Sequence, residues 1–191
     1  MLYMIPAFSL LLVVLAIGGW TDAREGKVYN WLTYPAIVLG LVYWTAAGLA
    51  GAVTLDGEPV GLTAAVIALG AALLPMLALR LAGGIGGGDV KLMGAVGAIS
   101  ASWECVLSTA VYALLIGVVL GLGMMVRRGR TKRTLANLFG VALTAASGTK
   151  PEVGDEQSPQ VPFSLAIAIG GLVAGAEQML GLQTPWVWLA P

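Results

Sequence analysis

Apolar runs about as long as a bilayer is thick alternate with short polar stretches along the chain. Read by hydropathy, the runs cover residues 2–20, 31–53, 60–79, 92–103, 105–126 and 161–180. A spanning helix needs roughly 20 apolar residues, so the pattern predicts an all-α, polytopic membrane protein with about six transmembrane helices. The fourth run is short and is expected to begin inside the glycine stretch that precedes it. Six spans use about 120 residues and leave about 70 for turns, one longer loop and the ends. Residues 1–191 therefore read as a single integral-membrane domain without a separate soluble one. The first run lacks a basic n-region and is too long for an ordinary signal-peptide core, so it is read as a retained span. Residues 134–149 are uncharged but short and modestly apolar, which predicts an interfacial or re-entrant helix. The polar stretch 150–160 reads as a flexible cytoplasmic loop.

Composition agrees: 58% of the 191 residues are hydrophobic and 10% charged, against about 25% charged in a soluble domain. Ten basic residues balance ten acidic ones, which argues against a nucleic-acid partner. Histidine is absent and Cys105 is the single cysteine. Histidine-dependent triads, His-ligated or Cys₄ zinc sites and intrachain disulfides are thereby excluded. No metal and no cofactor is expected, and the chemistry falls to carboxylates, hydroxyls, lysines or backbone.

Charge distribution sets the expected orientation. With the first loop on the cytoplasmic side, alternation places Arg24, Lys27, Arg80, Lys91, Arg127, Arg128, Arg130, Lys132, Arg133 and Lys150 all on that side. The positive-inside rule then puts both chain ends outside, in a multi-pass protein of the cytoplasmic (inner) membrane. The cluster at 127–133 reads as a topology signal that also attracts anionic membrane lipids.

Asp22, Glu25 and Asp89 are the carboxylates placed near a span on the basic side. Two crossings separate Asp22 from Asp89, so the pair shares a side whichever way the chain inserts. Two neighbouring carboxylates share one proton: one oxygen pair can take a proton from water while the other donates to a carbonyl oxygen. Before Asp89 runs Gly83-Gly84-Ile85-Gly86-Gly87-Gly88. Glycine leaves room for a substrate backbone and permits an irregular helix entry. A phosphate loop would need a Gly-Lys-Ser/Thr ending after a strand, and neither is present. Glu25 reads as a solvated charge beside Arg24 and Lys27. Asp56, Glu58 and Glu104 fall on the opposite face and are expected to be silent.

Gly86-Gly87-Gly88-Asp89-Val90-Lys91-Leu92-Met93, followed by Gly94 and Gly97, resembles the Gly-x-Gly-Asp-x-Lys-Leu motif of the type IV prepilin peptidases and the related archaeal preflagellin peptidases. Asp22 through Asn30 is similar to that family's Asp-x-x-x-x-x-Ile-Pro-Asn, with Tyr29 where the family has proline. Val161-Pro162-Phe163 ahead of Ala166-Ile167 and Gly170 resembles its Ile-Pro-Phe-Gly-Pro-Ala-Ile-x-x-Gly, with Ser164 and Leu165 replacing the Gly-Pro at the helix start. The resemblance implies an intramembrane aspartic endopeptidase with Asp22 and Asp89 as its catalytic pair. Gly86, Gly88, Lys91, Asn30, Pro162 and Phe163 would support or bind substrate. It implies cleavage of the short basic leader of prepilin or pseudopilin precursors after a glycine, at the cytoplasmic face. Family members that also N-methylate the new terminus often carry a cysteine-rich insertion between the first two spans. Here that region is the short segment 21–30, which fits the compact, peptidase-only form serving tight-adherence or Flp pili. Methylation stays open. The alternative from another class is a small proton- or cation-coupled transporter using the same two aspartates. It predicts polar residues in mid-span and an internal repeat, and the runs offer little of either.

Overall fold

The computed structural model describes residues 3–54, 57, 59–127 and 163–182. Within them lie six helices: α1 (Met4–Glu25), α2 (Asn30–Leu49), α3 (Leu62–Leu81), α4 (Gly87–Ser100), α5 (Trp103–Arg127) and α6 (Phe163–Leu180). Among the described residues the extended pairing is limited to an isolated antiparallel bridge, Val53 with Pro59. The chain forms two compact units, residues 1–116 with 162–191, and residues 117–161. The first contains α1 to α4, the start of α5, and α6. The described part of the second is the end of α5. The segments 134–149 and 150–160, and with them the expected interfacial helix and loop, lie outside the described residues.

Five helices, α1, α2, α3, α6 and the Trp103–Met124 part of α5, are long and apolar enough to cross a membrane. The protein is an all-helical, multi-pass membrane protein. Several boundaries differ from the hydropathy reading. The first helix does not stop at residue 20 but continues to Glu25, until Gly26 adopts φ 63° and its N–H donates to the Asp22 carbonyl at 2.9 Å. Glycine reaches this left-handed C-cap without steric cost. The segment 21–30 is therefore mostly helix, and the link itself is residues 26–29. The fourth helix starts earlier than 92, inside the glycine stretch as expected, and ends at Ser100. Ala101 takes φ 49°, and the Ser102 hydroxyl accepts the Cys105 N–H at 3.1 Å to open α5, an ordinary N-cap.

The 14 residues of α4 reach about 21 Å, well short of a hydrocarbon core of about 30 Å. It is sheathed by protein instead of lipid. Residues 92–100 are all buried, and α1, α2, α3 and α6 all pack on this helix. Apolar burial drives little association inside lipid, so small residues that let backbones touch carry the packing. A Cβ on Gly97 would come within 2.5 Å of the Ala68 carbonyl oxygen on α3, and one on Gly40 within 2.7 Å of the Ala98 carbonyl oxygen. At the end of α4, Trp44 Nε1 donates to the Ile99 carbonyl at 2.7 Å. Large side chains such as Leu74 and Val119 point outward, as lipid-facing positions should.

These close approaches predict an asymmetric response to small substitutions. Gly97→Val, forced against backbone that cannot swing away, should cost at least about 1–3 kcal/mol and lower the unfolding temperature of the detergent-solubilised protein. Gly70→Ala, with open space around the new methyl group, should leave that temperature unchanged or raise it. Equal effects from the two would contradict the packing described.

Candidate active site

One end of the first unit collects the polar residues singled out by the motifs. Asp22 stands in the last turn of α1, carried there by the helix extension past residue 20. Asp89 occupies the first turn of α4, the third residue after the Gly86 N-cap. Its Oδ2 accepts the Gly86 N–H at 3.1 Å, as an acidic residue at this position does when it reaches back to the cap. The positive end of the helix dipole adds to the fit. Asp89 is 9% exposed.

The start of α6 closes the site. The Ser164 hydroxyl donates to Asp89 Oδ1, and the Leu165 N–H donates to Asp22 Oδ2 at 3.3 Å. Each aspartate thus receives a donor from one of two consecutive residues, and the Asp22 carboxylate feels the charge of Asp89 directly. Two carboxylates and a helix N-terminus converge where burial has removed much of the water. The unsatisfied N–H groups of a first turn suit anionic side chains.

Around this centre the glycines serve space. A Cβ on Gly86 would sit 3.0 Å from Asp89 Oδ2, and one on Gly88 3.1 Å from Val28 Cβ. The link after α1 can therefore lie against the mouth of α4. Lys91 Nζ donates to Asn30 Oδ1 at 2.7 Å and stands 5.1 Å from the centre of the Tyr34 ring. Lys91 and Asn30 thus pin the start of α2 to the start of α4. Phe163, half-buried, is the first residue of α6. Pro162 lies outside the described residues, as do Asp56 and Glu58. Glu25 is exposed and accepts the Tyr29 hydroxyl, whose pKa this carboxylate pushes up. Glu104 is exposed beside Ser102, 3.5 Å from its hydroxyl, at the other end of α4.

Two features escaped the sequence reading. Ser164 registered there as a departure from a pattern, yet its hydroxyl meets Asp89. The clue was that a donor-bearing residue replaced glycine beside an expected pair of acids. Glu177, an ionisable residue within an apolar run, was passed over although such residues are costly in membranes. Its Oε1 accepts the Tyr112 hydroxyl at 2.6 Å, and its Oε2 is buried without a hydrogen-bond partner. No group of three or more His, Cys, Asp or Glu side chains suited to a metal occurs among the described residues.

Fold and site together define a multi-pass helical membrane protein with two carboxylates gathered at one end of its bundle. Residues 9–123 match the type IV leader peptidase family, and the chain belongs to that family. Membership makes it a peptidase with a leader-peptidase-like function. The match spans α1 through most of α5, including Asp22, Asn30 and the Gly86–Lys91 motif, and ends before Ser164. No curated protein and no solved structure matches the chain.

The position of Gly88 makes the seating of the link testable. Gly88→Val should push Val28 and the 26–29 link off α4, destabilising the fold by about 1–3 kcal/mol. Thermal unfolding in detergent reads this directly, and an unfolding temperature equal to that of the wild type would refute the close seating.

Proposed function

We propose that the protein is an aspartic-type endopeptidase in which Asp22 and Asp89 act as a pair. The meeting of both carboxylates at the first turn of α6, in a member of a leader peptidase family, carries this reading. Like charges this close cannot both ionise cheaply, so the pair holds one proton between them. The ionised member takes a proton from a water molecule, which attacks the scissile carbonyl carbon. The protonated member donates to the carbonyl oxygen; as the tetrahedral intermediate collapses, the proton taken from water passes to the leaving amine and the hydroxyl proton returns to the pair, which again holds one proton.

The substrate is the one the family resemblance implies, and the setting suits it. A site at the end of a helix bundle, at the membrane edge, suits a chain whose apolar helix rests in the bilayer and whose leader extends into water. We assign as substrates type IV pilin-like precursors, prepilins or pseudopilins, cut after the glycine that ends a short basic leader. With α4 counted as a sixth crossing inside the bundle, the ten basic residues share one side, and the positive-inside rule then favours a site at the cytoplasmic face of the inner membrane with both chain ends outside. The short link between α1 and α2 favours the compact form serving tight-adherence or Flp pili. No residue is assigned to N-methylation.

Co-expression with a prepilin from the same genome tests the reading by the size of the pilin on a gel. Wild type should shorten the precursor. Asp22→Asn and Asp89→Asn should each lower the cleavage rate by roughly 10³-fold or more while remaining in the membrane, and Glu104→Gln should cleave normally. Cleavage that survives either asparagine substitution would overturn the two-carboxylate mechanism. A precursor left whole by wild-type protein present in the membrane would direct the next assay to ion flux.

A further inference from the structure

The hydroxyl of Ser164 donates to Asp89 Oδ1, and the same residue faces Asp22 with its main-chain N–H and its hydroxyl. A serine hydroxyl has one proton and two lone pairs. Once the proton is given to Asp89, the oxygen presents a lone pair to Asp22. A second carboxylate would be repelled by that lone pair, whereas the O–H of a carboxylic acid would be satisfied by it. Asp89 has a second partner in the Gly86 N–H at 3.1 Å, and Asp22 has the main-chain N–H groups of Leu165, at 3.3 Å, and of Ser164, so the direction in which the hydroxyl gives its proton decides between the two. Donors to an ionised carboxylate favour that form.

We propose that Ser164 is a positioning residue that bridges the two carboxylates, directing their shared proton to Asp22 and the negative charge to Asp89. In the resting protein the order is Asp22 carboxylic acid, Ser164 hydroxyl, Asp89 carboxylate, each donating to the next. Asp89 is thereby the group that accepts a proton from water, and Asp22 the group that donates to the substrate carbonyl. The consequence for catalysis rests on the peptidase reading above. The proton assignment is a property of the protein without substrate.

Two measurements separate the parts. Infrared spectra of the purified protein in lipid vesicles at neutral pH should contain a protonated-carboxyl C=O band that vanishes in Asp22→Asn, shifts in Ser164→Ala and returns to its place in Ser164→Thr. A band that ignores Ser164→Ala, or that persists in Asp22→Asn, overturns the proposal. In cleavage of a prepilin from the same genome, Ser164→Ala should move the acid limb of the pH–rate profile up by about one unit and lower kcat about tenfold, with KM little changed. Ser164→Thr should restore both. A merely structural role would lower the amount of folded protein without moving the acid limb, and that result also overturns the proposal. Ser164→Gly, which restores the residue of the family pattern, serves as the second variant should alanine impair folding. If wild type leaves the precursor whole while the infrared band behaves as described, the peptidase reading fails and the proton assignment stands.

Discussion

A carboxylate at the edge of a bilayer needs donors where water is scarce, because an unpaired buried charge is among the most expensive features a membrane protein can carry. Asp89 meets that need with two donors from different elements, the Gly86 N–H and the Ser164 hydroxyl. Asp22 uses the Leu165 N–H. The end of α1, the mouth of α4 and the start of α6 must therefore meet at one point. Remote parts of the fold can be understood as what brings those three helix ends together.

The short central helix is the means. Since α4 is shorter than the hydrocarbon core is thick, its ends are set by its protein neighbours, and its first turn can sit where α1 ends. The cost is that a 14-residue helix must be shielded from lipid on every side. Gly97 against α3 and Gly40 against α4 allow backbone-to-backbone approach that larger residues would prevent. The Trp44 bond to the Ile99 carbonyl satisfies an acceptor near the end of α4, where the ladder has run out of internal donors. Packing at the middle of the bundle and geometry at the site are thus one problem.

Much of this was legible in the chain. Periodic apolar runs are a strong signal because a bilayer admits few solutions, and parity alone placed Asp22 and Asp89 on one side. Helix ends were harder. Hydropathy ends a span at the first polar residues, so it stopped at Trp20 and left Asp22 in a loop. Backbone bonding instead carries the helix on to Gly26, where a left-handed residue can end it. The link between Lys91 and Asn30, 61 positions apart, has no local signature, since both residues are polar and sit at helix starts. Glu177 was hidden for the opposite reason: one acid hardly lowers the mean hydropathy of an apolar run, although its hydrogen bond with Tyr112 is a feature that only tertiary structure reveals.

The three departures from the family pattern fall into two kinds. Tyr29 preserves what proline would provide: its φ of −79° lies close to the value a proline ring imposes, and its hydroxyl ties back to Glu25 across the turn. That replacement changes the means of stiffening the link and leaves its shape. Ser164 and Leu165 add something new. A Gly-Pro pair has neither a side-chain hydroxyl nor a second N–H, so it could not make either of the bonds that reach Asp89 and Asp22 here. In this protein the donors are built into the first turn of α6, where the Ser164 hydroxyl meets Asp89 and the Leu165 N–H meets Asp22. The start of α6 thus contacts both carboxylates, and its sequence bears on their surroundings as directly as the residues around Asp89 do.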